Sequence, residues 1–172
     1  YVNCPMRMMS FYKEIQSSFK GTKFTYMVSG SQYGLVTNLI HYIDHMAFLN
    51  QSINYTCNAN FLENNIFESK RKGFYELNGT FNVYFKNGTQ GIFSCESKGN
   101  LPGVVQAFNE NVHFISRESE GKVLISERNR RIVRRSIQQT VVLFLMWSAY
   151  YAGIMFAVAV TWRSCKLSPA LE

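Results

Sequence analysis

His41 and His45 stand four residues apart with Asp44 between them, a spacing at which two imidazoles on one helical face can share a metal ion. They fall on the side of Asn38, opposite an apolar stripe, and no third ligand accompanies them. The pattern therefore reads as a solvated polar face, and neither a metal nor another cofactor is expected. There is no glycine-rich phosphate loop and no Gly-x-Ser-x-Gly elbow, and no carboxylate pair stands out among eleven acidic residues. A chain that is not an enzyme is the expectation.

The asparagines offer a different chemistry. Asn50, Asn54, Asn78 and Asn87 each begin an Asn-x-Ser/Thr acceptor sequence for N-glycosylation. Asn78-Gly79 and Asn87-Gly88 also carry the strongest short signal for a two-residue hairpin turn, which would expose both at turn tips. Of the four cysteines, Cys57 and Cys95 are the expected disulfide pair, with Cys4 joined to one of them as the alternative. Arg128, Arg130 and Arg131 form the Arg-x-Lys/Arg-Arg pattern of a secretory convertase site, and Arg134 and Arg135 extend the basic run. The same run also fits a stop beside anionic headgroups. Most of the net charge of +7 sits here, so it is not read as a nucleic-acid surface.

From Ser136 to Trp162 no charged residue, histidine or proline occurs. A helix from Val141 to Val160 would be about 30 Å long, the thickness of a bilayer's hydrocarbon layer. A transmembrane helix is expected over 137–162. Ala149, Gly153 and Ala157 would share one of its faces, as small residues do where helices pack, and Tyr150 and Tyr151 would seek partners at mid-depth. Cys165, just beyond, is a palmitoylation candidate. The basic flank before the helix argues for a cytosolic domain, whereas the acceptor sequences argue for a luminal one, and a removed signal peptide or an upstream membrane segment ahead of Tyr1 would set that orientation first.

The elements that must position these residues follow from periodicity. Residues 5–20 place Met8, Tyr12, Ile15 and Phe19 at helical spacing, and 31–49 carry the stripe Leu35, Leu39, Ile43, Met46. A shorter helix is expected over 61–71. A strand is read over 23–28, a three-stranded meander over 73–77, 80–86 and 89–95, and a hairpin from 112–117 and 122–126 around Glu120-Gly121. The predicted class is α+β: a small domain of two or three helices and an antiparallel sheet, followed by one C-terminal transmembrane helix. The predicted boundaries are an extracytosolic domain over 1–127, a basic juxtamembrane linker over 128–136, the helix over 137–162 and a short tail over 163–172. Together these predict a single-span membrane glycoprotein of the secretory pathway or plasma membrane. It would act as an accessory subunit and meet another membrane protein through its helix. A cell-surface or viral-type envelope glycoprotein that binds in trans, and a tail-anchored protein with a cytosolic domain, are the alternatives.

Overall fold

The computed structural model describes residues 4–69 and 71–128, and the backbone of 133–136. A 3-10 turn, Pro5–Met8, leads into α1 (Ser10–Phe19), β1 (Thr25–Ser31) and α2 (Leu35–Asn50). Strands follow: β2 (Tyr55–Leu62), β3 (Phe67–Glu68), β4 (Tyr75–Glu76), β5 (Gly79–Phe85), β6 (Gln90–Glu96), β7 (Val104–Phe108), β8 (Val112–Arg117), β9 (Lys122–Glu127) and β10 (Val133–Ser136). Eight of them form one sheet in the order β10-β9-β8-β7-β1-β6-β5-β2, and β3 and β4 pair separately.

The helical stripes were legible except at Met8, which is exposed in the 3-10 turn ahead of α1. Tyr12, Ile15 and Phe19 are the buried side chains of α1, and Leu35, Ile43, Met46 and Leu49 are buried on α2. Asn109 Nδ2 donates to the carbonyl of Ser18 and to Thr22 Oγ1, which ties the end of α1 to the loop between β7 and β8. Both helices pack on one face of the sheet, against the alternate residues Tyr26 and Val28 of β1, Phe93 of β6 and Phe114 of β8, all fully buried. Gly91 lets α2 approach β6. A Cβ there would lie 2.7 Å from Met46 Sδ and 2.9 Å from the Phe93 ring.

The sheet corrects the predicted class. It is large and mixed, not a small antiparallel one: residues 25–31 of β1 run parallel to 90–96 of β6 and antiparallel to β7 on the other side. The reason is the crossover through α2, which returns the chain to the same sheet by way of β2 and β5. The helix expected over 61–71 is not there. Phe61 and Leu62 end β2, past an irregularity after Asn58, and the rest forms the β3–β4 excursion. The β8–β9 hairpin stands where expected, with Gly121 at φ 61°. The Asn87-Gly88 turn does join β5 to β6. Asn78-Gly79 joins no hairpin, because β4 pairs with β3 rather than β5.

Candidate functional site

Because β1 and β6 are parallel neighbours, their carboxyl ends open toward the start of α2, the place where α/β sheets gather ligands. The loop after β6 is stitched to β1 there. Ser31 N donates to the Leu101 carbonyl at 2.9 Å, and Leu101 N donates back to Ser31 Oγ at 2.7 Å. Gln32 N reaches the Glu96 carbonyl at 3.1 Å. Gly34, at φ 79°, turns the chain into α2, and Asn38 Nδ2 holds that turn by donating to the carbonyls of Tyr33 (2.8 Å) and Gly34 (2.9 Å).

A helix end of this kind has free N–H groups and a partial positive charge, which suits a phosphate. In this chain the place is taken. Glu76 of β4 is buried, and its Oε2 accepts from Val36 N at 2.8 Å while Oε1 accepts from Thr37 N at 3.2 Å. A second anion is repelled, so the pyrophosphate of a dinucleotide does not fit here. Beneath lie Tyr33 and Tyr42, rings edge-on with centroids 6.1 Å apart. Burial raises both phenols, Tyr42 to about 12, and the Tyr33 hydroxyl is buried without a hydrogen-bond partner.

Further along α2 the two histidines separate. His45 is fully buried against the Tyr12 ring (centroids 3.9 Å), with Tyr26 Oη 2.8 Å from its Nδ1. Its Nε2 has no partner, and burial lowers its pKa to about 3. The polar-face reading fails for His45 because Tyr12 of α1 covers that flank of the helix. His41 is half-buried: Nδ1 is screened from solvent and unpartnered, which leaves Nε2 as the open nitrogen. One turn on, Asp44 accepts from Arg7 Nε at 2.9 Å and pairs with its Nη2. Cys4 lies beside that pair, its thiol raised by burial. A shallow depression of about 500 Å³, lined by Phe48, Gln51 and Ser52 among others, adjoins it. Among the described residues no group of three or more His, Cys, Asp or Glu could hold a metal.

The modification residues scatter. Cys57 and Cys95 are free thiols on β2 and β6, with β5 between them. In register Cys57 stands by Val83 and Cys95 by Gly79, so they are offset along the strands as well, and the expected disulfide is not formed. Asn50 and Asn78 are buried. Asn87 is exposed in its turn and donates to Asn50 Oδ1 at 2.8 Å, and Asn54 is exposed ahead of β2. Arg128 is exposed, and Arg134 and Arg135 fall in β10. Arg130, Arg131, the helix over 137–162 with Ala149, Tyr150, Tyr151, Gly153 and Ala157, and Cys165 lie outside the described residues. Sequence reasoning missed Glu76, whose role depends on a distant hairpin that leaves no local signal. It also set aside His41, whose position after β1 was the available clue.

No family model matches the chain, and no curated protein matches it in sequence. Among solved structures, it is similar to a protein described as an oxidoreductase from Erwinia carotovora atroseptica, with a TM-score of 0.53 and 11% identity over 80% of this chain. The fold is shared with an oxidoreductase. This chain spans about half of that protein, 49% of its length. A dehydrogenase (MviM) from Clostridium difficile (TM-score 0.48, 16% identity, 77% of this chain and 42% of that one) is a more distant likeness. So is an oxidoreductase from Sinorhizobium meliloti (0.47, 7%, 76% and 39%).

This likeness overturns the functional expectations. A fold shared with an oxidoreductase replaces the non-enzymatic accessory glycoprotein, and with it the envelope and tail-anchored alternatives. The secretory-membrane localisation and the membrane and glycoprotein character are corrected on the same ground. No helix among the described residues is long and apolar enough to cross a membrane.

Proposed function

We propose that this domain is the substrate-facing part of an oxidoreductase, with His41 as the group that moves the proton of a substrate hydroxyl. The observation that carries the reading is the position of His41. It is a half-buried imidazole with one screened and one open nitrogen, on the helix that follows the carboxyl end of β1. The fold shared with an oxidoreductase supports it. In the oxidation of an alcohol to a carbonyl, the carbinol hydrogen would leave with its electron pair, as hydride, to a hydride-accepting cofactor held elsewhere, while neutral His41 Nε2 accepts the hydroxyl proton; in the reverse direction the hydride would return from the reduced cofactor and the proton from the imidazolium. The exposed Thr37, on the same side of α2, and Asn38 are placed to orient neighbouring hydroxyls. Glu76, as the cap of α2, excludes the dinucleotide phosphates from this helix end. The redox partner is therefore held by other groups.

The test is a nuclear magnetic resonance titration of the full chain, reading the histidine rings and the amides of 35–38. Small polyols and hydroxy acids are expected to move the His41 ring and to lose binding in His41→Ala. A nicotinamide dinucleotide is expected to leave Val36 and Thr37 unmoved. A panel that leaves His41 silent, or a dinucleotide that shifts the capped amides, overturns the proposal.

A further inference from the structure

The large sheet ends at β2, whose outer edge pairs with no strand among the described residues. Every residue of this strand except Asn58 and Leu62 is exposed, so water reaches both of its faces. A free edge presents a row of backbone donors and acceptors, and proteins ordinarily guard it with charge, proline or a bulge. The strand at the other end of the sheet, β10, includes Arg134 and Arg135 in its four residues. The first half of β2 has no such guard. No charged residue and no proline lies between Gln51 and Leu62. The irregularity in the strand falls after Asn58, where Asn60 N donates to Asn58 Oδ1 at 2.8 Å, and residues 55–58 keep regular register with β5.

We propose that this edge is where two copies of the chain meet, their β2 strands paired antiparallel about a two-fold axis at Cys57, and that a low-molecular-weight disulfide locks the pair through that residue. A two-fold contact sets each residue against its own copy, so a charged edge would meet like charge there. Within five positions of Cys57 on either side there is no charge. An axis at Cys57 keeps the nearest pairs inside the regular stretch. Thr56 of each copy then stands opposite Asn58 of the other, two small polar residues able to hydrogen-bond across strands. Cys57 stands opposite Cys57 of the second copy. Opposed residues of antiparallel strands have Cα atoms about 4.5–5.5 Å apart, inside the range of about 4.4–6.8 Å that a disulfide spans. Cys57 is a free, exposed thiol, whereas Cys95 is buried. A contact of a few residues is smaller than the roughly 1,000 Å² of a stable interface, so the pair is transient until oxidation holds it. In that step the Cys57 thiolate attacks the small disulfide and releases one thiol. The thiolate of Cys57 in the second copy then attacks the mixed disulfide and releases the other. One Cys57–Cys57 bond forms, and the two electrons and two protons given up by the cysteines leave on the two small thiols.

The test is incubation of the full chain, at micromolar concentration and in high salt, with glutathione disulfide, read by native mass spectrometry and non-reducing mass mapping. High salt screens all but the nearest charges. The expected product is a covalent dimer joined Cys57 to Cys57. Thr56→Lys combined with Asn58→Lys sets like charges opposite one another at both pairs flanking the axis, and is expected to slow dimer formation about tenfold. Thr56→Lys combined with Asn58→Glu sets opposite charges there, and is expected to form the dimer at least as fast as the wild type. Thr56 is exposed and Asn58 half-buried on the edge strand, so neither combination touches the core. Chains that stop at the mixed disulfide between Cys57 and glutathione overturn the proposal. So does an equal rate in the two charge variants, because thiols that meet by random collision do not sense which residues flank them. The readout does not involve His41, so either proposal can fall without the other.

Discussion

Acidification should destabilise this domain through His45. The imidazole is fully buried, its Nδ1 sits against the Tyr26 hydroxyl and its Nε2 has no partner, so the folded state holds it neutral, with a pKa of about 3 against 6.5 for an ordinary histidine. The unfolded chain takes up the proton first. The contribution is therefore complete above pH 6.5 and is lost as the pH falls from 6.5 toward 3. Each unit is worth about 1.4 kcal/mol, so pH 5 costs about 2 kcal/mol and the full window about 5 kcal/mol. The comparison is urea unfolding of the full chain at pH 7 and pH 5, for wild type and for His45→Gln, whose amide can still pair with the Tyr26 hydroxyl. At pH 7 the variant should be the less stable, by about 1–3 kcal/mol for an imperfectly replaced buried polar group. Between pH 7 and 5 the wild type should lose about 2 kcal/mol more than the variant, since all other titrating groups are common to both. Parallel losses would refute the reasoning.

Two further outcomes follow from the same geometry. Glu76→Gln keeps an acceptor but removes the charge from the start of α2, and should cost about 1 kcal/mol, read as a lower urea midpoint with an unchanged slope. Thiol labelling with mass mapping should find Cys57, exposed on its edge strand, modified within the mixing time, while buried Cys95 reacts only as the domain opens.

The parts of the fold legible in the sequence are those whose partners lie nearby. The stripe of Leu35, Ile43 and Met46 announced α2, and Glu120-Gly121 announced the β8–β9 hairpin. The parallel pairing of β1 with β6 was not legible, because nothing local in Tyr26 or Phe93 records which strand will lie beside it. The strand β7, five residues following Leu101-Pro102-Gly103, was too short to declare itself beside a loop. The helix expected over 61–71 did not form, since Phe61 and Ile66 are exposed and no packing rewards a helix there. For the site, sequence found His41 but gave it the same weight as His45. Only Tyr12 packing from α1 separates the two, and only the β3–β4 excursion brings Glu76 to the helix end.

The placement of β1 at the heart of the sheet also governs how the chain can be made. This strand is synthesised well ahead of its two neighbours, residues 90–96 and 104–108. Until Phe93 has left the ribosome, Tyr26 and Val28 have no strand beside them, and until Phe108 has followed, one side of β1 stays unpaired and α1 and α2 have only an incomplete surface to lie on. Assembly must then close long loops before any central contact rewards it, which makes folding slow for a domain of this size. Over that interval the emerging chain's apolar face and unpaired strand edges are exposed, the condition under which nascent chains aggregate. A ribosome-stalled series should show protease protection of residues 25–31 appearing only when the chain beyond Phe108 is exposed.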